Sequence, residues 1–142
     1  MADVHSPAVR SFNMSRIRSK DTKPEILVRK RLFSLGFRYR LHDKAFPGKP
    51  DIILPKYKTV IFINGCFWHG HDGCRYFDIP KSRTEWWTAK IEKTIINDRK
   101  VTDLIRLKGW QVLTVWECEL KKNLVEKTIE NLASSIKASI KN

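Results

Sequence analysis

Two cysteines and two histidines fall within nine positions of the chain, from Cys66 to Cys74. The segment reads Cys-Phe-Trp-His-Gly-His-Asp-Gly-Cys, and the third and last cysteine is Cys118. Thiolates and imidazoles are the ligands of structural zinc, which four of them hold in a tetrahedron. Cys66, His71, Cys74 and Cys118 would complete such a set, although three buried and unreactive cysteines are an ordinary alternative. Because Cys66 and Cys74 lie in a glycine-rich segment without periodicity, we favour a structural zinc site.

The remaining histidine of this segment, His69, falls outside the predicted zinc set. It lies two residues before His71. A spare histidine beside a metal loop has three possible roles: a further ligand, a group that orients a ligand, or a catalytic base. The residues alone leave all three roles open.

Three carboxylates occupy positions that the apolar pattern assigns to the protein interior. Asp98 lies within roughly 20° of Trp87 and Ile105 on a helical wheel, at the centre of an apolar stripe. Glu25 shares a stripe with apolar neighbours, and Asp51 begins a wholly apolar strand. Each position also has an ordinary explanation: an ion pair for Asp98, a capping box for Glu25 and turn chemistry for Asp51.

Binding of a divalent cation would explain all three acids together. Metal-dependent phosphodiesterases gather carboxylates at the ends of buried strands, where they hold Mg²⁺. Glu25, Asp51, Asp98 and His69 are the residues available for such a site. The set therefore indicates a hydrolase that acts on a polyanion.

The net charge points to the same kind of partner. The chain has 142 residues and a formal net charge of +13, which favours binding to a polyanion such as a nucleic acid. An anionic membrane surface or no partner at all would also be compatible with it. No apolar run reaches ~18 residues and no secretion signal is present, so we expect a cytoplasmic protein that does not span a membrane.

The first 21 residues differ from the rest of the chain. They are polar and carry Arg10, Arg16, Arg18 and Lys20 against only two acids. The segment is either a frayed terminus or a basic arm that becomes ordered on a nucleic acid. We therefore divide the chain into an arm, residues 1–21, and a single domain, residues 22–142.

Aromatic residues accompany the histidines and cysteines. The chain has five tryptophans, and Phe67 and Trp68 lie inside the predicted metal loop. Exposed aromatic rings near positive charge unstack nucleic-acid bases. Folding onto the core is the ordinary fate of such rings. The neighbouring basic residues make base contact the preferred interpretation for Phe67 and Trp68.

The elements that must position these residues follow from periodicity and turn signals. Helices are predicted over Thr22–Leu35, Ser82–Lys108 and Val125–Ile140, and strands over Phe37–Leu41, Asp51–Leu54, Thr59–Ile63 and Val112–Trp116. Capping boxes at Thr22–Glu25 and Ser82–Glu85 open the first two helices, and the two middle strands form a hairpin. This order predicts an α/β domain with a mixed sheet between helices.

Several of these motifs, in this order, resemble the very short patch repair endonucleases, the Vsr family. The resemblance runs from about residue 5 to residue 120. It rests on Arg10–Met14, Thr22–Glu25, Pro47–Asp51, Val60–His69, His71, Cys74, Trp86-Trp87 and Val115–Cys118. The run Gly-Cys-Phe-Trp-His followed by a short His/Cys cluster is its most specific part.

The resemblance implies a restriction-endonuclease-like fold and a defined activity. Such enzymes nick one strand of double-stranded DNA 5′ to the T of a T:G mismatch, which arises when 5-methylcytosine is deaminated. In this family Mg²⁺ is held by the counterpart of Asp51 and a main-chain carbonyl, here that of Ile63. His69 would activate the attacking water, Asp98 would orient His69, and Glu25 would hold water at the metal.

The resemblance also implies roles for the other motifs. Structural zinc would be held by Cys66, His71, Cys74 and Cys118. Phe67, Trp68 and Trp87 look like a wedge that enters the duplex beside the mismatch. We expect a monomer, with mismatch-repair proteins as further candidate partners.

Three features of the chain depart from the family pattern or from related nucleases. Ile63 stands where the family often has Thr, which is tolerable if only the carbonyl acts. The loop Gly70–Gly73 is one residue longer than in some relatives, and the acid-x-Lys signature of many nucleases of this fold is absent after Asp51.

Two other functions are alternatives to a mismatch endonuclease. They are a zinc-stabilised mismatch-binding module without catalysis and a nuclease of relaxed specificity.

Overall fold

A three-stranded sheet lies between two helices on one face and one long helix on the other. The computed structural model describes residues 22–41 and 43–139. Within these residues the elements are helix α1 (Lys23–Ser34), strands β1 (Ile52–Leu54) and β2 (Thr59–Asn64), helix α2 (Thr84–Leu107), strand β3 (Gln111–Trp116) and helix α3 (Val125–Ala138). The predicted α/β class with a mixed sheet is confirmed.

The sheet has the order β1-β2-β3 and mixes two kinds of pairing. β1 pairs antiparallel with β2 in the register Ile52↔Ile61, and a 3-10 turn, Pro55–Tyr57, connects them. β2 pairs parallel with β3, so that Asn64 lies opposite Trp116 at the carboxyl ends of both strands. The predicted hairpin is therefore present, and the end of β2 lies at the same edge as the end of β3.

Alternation along the strands divides the core into two clusters. On one face, Ile52 and Ile61 pack with buried residues of α1 and α3, among them Leu32 and Ile136. On the other face, Val101 and Ile105 of α2 pack against three strand residues, Ile53, Val60 and Val112. Each helix stripe thus covers one side of the sheet, as the periodicity predicts.

Helix α1 begins at the predicted capping box. The Thr22 side chain accepts a hydrogen bond from the Glu25 amide, and the Glu25 carboxylate accepts one from the Thr22 amide. Gly36, with φ +95°, follows the helix end in the left-handed conformation that glycine adopts readily. This start matters for function because it places Glu25 on the interior side of the helix.

The strand predicted over Phe37–Leu41 is wrong as a full strand. Only one isolated antiparallel bridge, Arg40↔Ile53, joins this segment to the sheet. β1 has three residues, all in register with β2, and Ile53 is the one whose N–H and C=O are both hydrogen-bonded to Arg40. The alternation of burial still holds, since Phe37 is buried and Arg38 is exposed.

The second predicted capping box, Ser82–Glu85, is also wrong. Arg83 is the N-cap of α2, in the left-handed conformation with φ 57°, and its side chain makes no capping bond. The Thr84 hydroxyl donates to the carbonyls of Pro80 and Lys81 instead. Because the helix starts one residue later than predicted, Ser82 and Glu85 are out of phase for a box.

The basic arm, residues 1–21, and Ile140 of the last predicted stripe lie outside the described residues. The division of the chain at residue 21 stays a prediction. Among the helices described, none combines the length and the apolar character needed to cross a membrane.

Candidate active site and metal centre

Glu25 and Asp51 place two carboxyl groups side by side, at the starts of α1 and β1. Glu25 is buried, with 3% of its surface exposed, and its Oε2 accepts the Thr22 N–H at 2.7 Å. Asp51 Oδ2 accepts the Ile63 N–H at 2.6 Å, and the Glu25 carboxyl lies close enough to raise the pKa of Asp51. Both interpretations of Glu25 therefore hold: it completes the capping box and it faces the interior.

The pKa of Asp51 reflects this environment. Burial, together with the neighbouring Glu25 carboxyl, raises it from the ordinary value of 3.8 to about 8, and the Ile63 amide and the Arg29 guanidinium oppose the rise. Two adjacent carboxylates resist simultaneous ionisation unless a cation lies between them. Carboxylate oxygens are the ligands that Mg²⁺ prefers. The pair therefore has the donors and the charge arrangement that fit a divalent cation.

The Ile63 backbone faces the same site. The N–H and C=O of one strand residue point to one edge, and those of the residue two positions on point to that edge as well. The Ile61 carbonyl accepts the Asp51 N–H at 3.0 Å, so Ile63 also presents its backbone groups toward Asp51. Its N–H is bonded to the Asp51 carboxylate, and Ile63 and Asp51 line one cleft. The Ile63 carbonyl is thus available next to the carboxyl pair whatever its side chain.

His69 and Asp98 form a second pair of functional groups. His69 Nδ1 lies 2.7 Å from Asp98 Oδ2, and their side chains are 30% and 37% exposed. A carboxylate accepts from the Nδ1–H, which leaves Nε2 as the ring nitrogen able to accept a proton. Asp98 is therefore paired, and more exposed than its place on an apolar stripe suggests, because α2 faces the loop here and not the sheet.

Gly70 explains how the loop reaches α2 at this point. Its φ is +60°, and a Cβ built on it would lie 2.7 Å from Ile95 Cδ1 and 2.8 Å from Ile91 Cγ2. No larger residue fits this approach without displacing the helix side chains. The close packing brings the preceding residue, His69, next to Asp98.

One cleft joins the carboxyl pair to the histidine. Its volume is about 680 Å³, and its lining includes Glu25, Asp51, Ile63, Asn64, Trp68 and His69. Asp98 lines two adjoining cavities that His69 also borders. Three of the four predicted catalytic side chains thus open into the same cleft, and the fourth contacts it through His69.

The four predicted zinc ligands come together. One donor atom from each of Cys66, His71, Cys74 and Cys118 lies within 4.8 Å of every other. A tetrahedral zinc site with Zn–S distances of about 2.3 Å has ligand–ligand edges of about 3.8 Å, so these spacings suit it. Cys118 Sγ and His71 Nδ1 are 3.5 Å apart. This Cys3His cluster could hold a metal ion, and its members are those that the sequence indicated.

Parallel pairing of β2 and β3 explains this assembly. Cys66 follows β2 and Cys118 lies in the 3-10 turn after β3 (Glu117–Leu120), so both leave the same edge of the sheet. The loop then folds back, with the His71 N–H bonded to the Cys66 carbonyl at 2.9 Å and the Cys74 N–H to the His71 carbonyl at 3.2 Å. A metal ion held by this cluster would therefore tie the loop to both parallel strands.

Two of the three thiols of the cluster are in an environment that disfavours negative charge. Burial, together with the neighbouring Cys66 and Cys74 sulfurs, raises the pKa of Cys118 to about 12, and burial raises the pKa of Cys66, whereas hydrogen bonds lower the pKa of Cys74. A metal ion reverses this preference, because it binds thiolates and neutralises their charge. A bound cation would therefore relieve the cost of ionising Cys66 and Cys118 in this cluster.

Phe67, Trp68 and Trp87 form one aromatic cluster. The ring of Phe67 lies 5.3 Å from that of Trp68 and 5.3 Å from that of Trp87, and the two tryptophan rings are 5.8 Å apart. All three side chains are half-buried. Trp68 also lines the cleft, so the aromatic cluster lies directly beside the candidate catalytic residues.

Two tryptophans have contacts that the sequence did not predict. The Trp86 ring contacts Trp87 at 4.7 Å, with the Arg83 guanidinium 4.7 Å from its centroid and the Lys90 ammonium 5.7 Å away. Trp116 stacks on the imidazole of His71 at 4.0 Å and 5°. The spacing of Arg83 and Lys90 around Trp86 on a helix could have indicated the first contact, whereas the second depends on the loop fold.

Comparison with known proteins assigns the chain to a family. A sequence model described as DNA mismatch endonuclease Vsr matches residues 2–75, about half of the chain. The chain is 50% identical over 141 residues to the type II nicking enzyme V.NmeAIP of Neisseria meningitidis serogroup A. The aligned region covers 99% of this chain and 100% of that protein. The chain belongs to the Vsr family.

Other Vsr-family relatives agree with this assignment. The chain is 44% identical over 121 residues to the DNA mismatch endonuclease Vsr of Escherichia coli strain K12, covering 85% of this chain and 77% of that protein. It is 48% identical over 120 residues to the type II nicking enzyme V.XorIIP of Xanthomonas oryzae, covering 84% of this chain and 88% of that protein. This Vsr-family protein is a DNA endonuclease, as the motifs implied.

Proposed function

We propose that this Vsr-family endonuclease nicks one DNA strand 5′ to the T of a T:G mismatch left by 5-methylcytosine deamination and so initiates very short patch repair. The observation that carries the proposal is the single cleft that joins the Glu25–Asp51 pair to the His69–Asp98 pair. The aromatic cluster beside this cleft supplies a surface for contact with bases. Hydrolysis and mismatch contact are thus combined in one site.

His69 acts as the general base. With Nδ1–H donated to Asp98 at 2.7 Å, its Nε2 accepts a proton from the water that attacks the phosphorus. Asp98 keeps the ring in this tautomer and stabilises the imidazolium that forms. Because the pair is partly exposed, the proton can leave to solvent after the strand is cut.

Asp51, the Ile63 carbonyl and Glu25 form the site for Mg²⁺. Asp51 and Ile63 supply the direct ligands, and Glu25 holds water beside them. When bound, Mg²⁺ offsets the charge of the scissile phosphate and stabilises the charge that develops on the leaving oxygen. The raised pKa of Asp51 supports this assignment, because a bound cation would offset the burial and the repulsion from Glu25 that disfavour the ionised carboxylate.

The aromatic cluster enters the duplex beside the mismatch. Phe67, Trp68 and Trp87 are half-buried and packed on one another, so they form a rigid wedge and lose little freedom on binding. The net charge of +13, with the basic arm of residues 1–21, supplies attraction to phosphates that does not depend on sequence. Exposed cations around Trp86 add to it.

Zinc in the Cys3His cluster has a structural role in this proposal. It fixes the loop that carries both the wedge residue Phe67 and the base His69. Side chains of the protein supply all four ligands. A closed tetrahedron leaves no position for substrate. We therefore expect zinc to be needed for folding and not for the chemical step.

The broader expectations follow from the same assignment. The mixed sheet between helices agrees with a restriction-endonuclease-like fold. We propose that the enzyme acts as a monomer in the cytoplasm, with mismatch-repair proteins as further partners. A binding module without catalysis would not require a histidine paired to Asp98. A nuclease of relaxed specificity would not require the aromatic wedge.

Nicking assays with a panel of duplexes test the proposal. The duplexes carry T:G or T:A at one position, differ in their flanking bases, and are incubated with and without Mg²⁺. We expect a single nick 5′ to the mismatched T in Mg²⁺, no nick in T:A, and loss of nicking with retained binding in Asp51→Ala. Full activity of Asp51→Ala would refute the mechanism, and equal nicking of T:A would indicate the relaxed nuclease.

A further inference from the structure

Asn64 is a buried polar residue for which neither the fold nor the proposed mechanism has a use. It is the last residue of β2, and 9% of its surface is exposed. Its backbone pairs with Trp116 of β3. Within residues 22–41 and 43–139, its carboxamide forms no hydrogen bond. The carboxamide borders the cleft and is therefore open to water or to a ligand, either of which can bind the donors that the protein leaves unused.

The position of Asn64 directs its side chain toward the catalytic groups. Val60, four positions earlier in β2, packs in the core cluster under α2. Because side chains alternate between the two faces of a strand, Asn64 lies on that same face. Asn64 and His69 together line the cleft of about 680 Å³ and two adjoining cavities of about 470 and 90 Å³. The first contains Asp51 and the other two contain Asp98. Asn64 therefore lies between the carboxyl pair and the His69–Asp98 pair.

The chemistry of a carboxamide suits this location. Its nitrogen carries two N–H donors and no charge. A lysine at this position would form ion pairs with Asp51 or Asp98 and compete with a cation, whereas a carboxylate would repel a phosphate. Asparagine can donate to an anion while leaving the charges of both acidic pairs unchanged.

We propose that Asn64 is a further substrate-binding residue, whose Nδ2–H donates to a non-bridging oxygen of the scissile phosphate and holds the phosphorus within reach of the water that His69 activates. The inference rests on the proposed function and adds a phosphate contact to it. No proton is transferred to or from Asn64, and no bond to it forms. The contact strengthens as charge develops on the phosphate oxygens, as with other donors aimed at a transition state.

Two substitutions separate this role from a structural one. Asn64→Leu keeps the branching and the number of side-chain heavy atoms and removes both donors, and Asn64→Asp keeps the shape and replaces the donors with acceptors. Asn131→Leu makes the same chemical change at an exposed position of α3 and is the control. We expect Asn64→Leu to melt close to the wild-type temperature, because the side chain borders the cleft, and to nick a T:G duplex about 10- to 100-fold more slowly under single-turnover conditions. Asn64→Asp should be slower still, and Asn131→Leu should match the wild type.

A sulfur-substituted substrate identifies the contact itself. Sulfur accepts hydrogen bonds poorly, so phosphorothioate of one configuration at the scissile position should reduce the effect of Asn64→Leu to about threefold or less. An equal effect on phosphate and on both phosphorothioates would overturn the inference, as would nicking by Asn64→Leu at the wild-type rate. A wild-type protein that nicks no T:G duplex in Mg²⁺ would overturn the proposed function as well, so the two failures are distinguishable.

Discussion

Replacement of Asp51 by Asn should abolish nicking and stabilise the magnesium-free protein, with a gain that depends on pH. The folded protein binds the Asp51 proton with a pKa of about 8 against an ordinary value of 3.8, so it holds that proton more tightly than the unfolded chain. The stability due to this proton is complete below about pH 3.8 and is lost as the pH rises toward 8. Asn has no proton to lose, and its oxygen can still accept the Ile63 N–H.

The magnitude follows from the size of the pKa shift. Each pH unit between the two pKa values changes the free energy of unfolding by about 1.4 kcal/mol. From pH 5 to pH 8 the difference in the free energy of unfolding between Asp51→Asn and the wild type should therefore grow, in favour of the variant, by roughly 4 kcal/mol. Titrating groups remote from Asp51 are present in both proteins and cancel in the difference, whereas the Glu25 carboxyl, which interacts with Asp51, contributes to it.

The assay is urea unfolding followed by tryptophan fluorescence, at pH 5 and pH 8, in buffer freed of divalent cations before zinc-loaded protein is added. Mg²⁺ at pH 8 should stabilise the wild type and narrow the gap, because it binds the ionised form of Asp51. Glu130→Gln, on the exposed side of α3, is the control for loss of an acid elsewhere. A difference between Asp51→Asn and wild type that is equal at the two pH values would refute the reasoning.

Three further predictions test the remaining parts of the site. Asp98→Asn should lower the single-turnover nicking rate about 10²- to 10⁴-fold while DNA affinity is retained, because the imidazolium of His69 loses its counter-charge; an unchanged rate in a nicking assay would contradict this role. Removal of zinc with a chelator, or Cys118→Ser, should lower the melting temperature and loosen the loop, and unaltered circular dichroism and proteolysis of the metal-free protein would exclude a structural metal. Gly70→Ala should cost about 1–3 kcal/mol of stability in chemical denaturation, since its Cβ would lie 2.7 Å from Ile95 Cδ1 at a positive φ; equal stability would show that the loop can move away from α2.

Local patterns allowed a large part of the fold to be predicted. The Thr22–Glu25 capping box acts within one helical turn, so its hydrogen bonds could be assigned from spacing alone. The Ser82–Glu85 box satisfied the same pattern and failed, because Arg83 adopts a left-handed conformation that delays the helix by one residue. The strand over Phe37–Leu41 failed because it depended on the length of β1, which offers a single residue for pairing.

Residue chemistry predicted the members of the candidate sites but not their contacts. The set Cys66, His71, Cys74 and Cys118 was indicated because soft ligands in a loop have few other uses. The contact of Glu25 with Asp51 joins elements far apart in sequence, and no periodicity encodes it. Asp98 and His69 were both named, yet their pairing depends on the close approach of Gly70 to α2.

The turn after β2 links recognition to chemistry mechanically. Phe67, Trp68 and His69 are consecutive, and the turn is closed by bonds from the His69 N–H to the Gly65 carbonyl and from the His71 N–H to the Cys66 carbonyl. If Phe67 and Trp68 contact bases and His69 is the general base, as proposed, a poorly fitting base pair that displaces the two rings would displace His69 with them. Discrimination would then arise after binding, as misalignment of His69, as well as from weaker affinity. A change in this turn that alters its fit to DNA would on the same grounds alter catalysis.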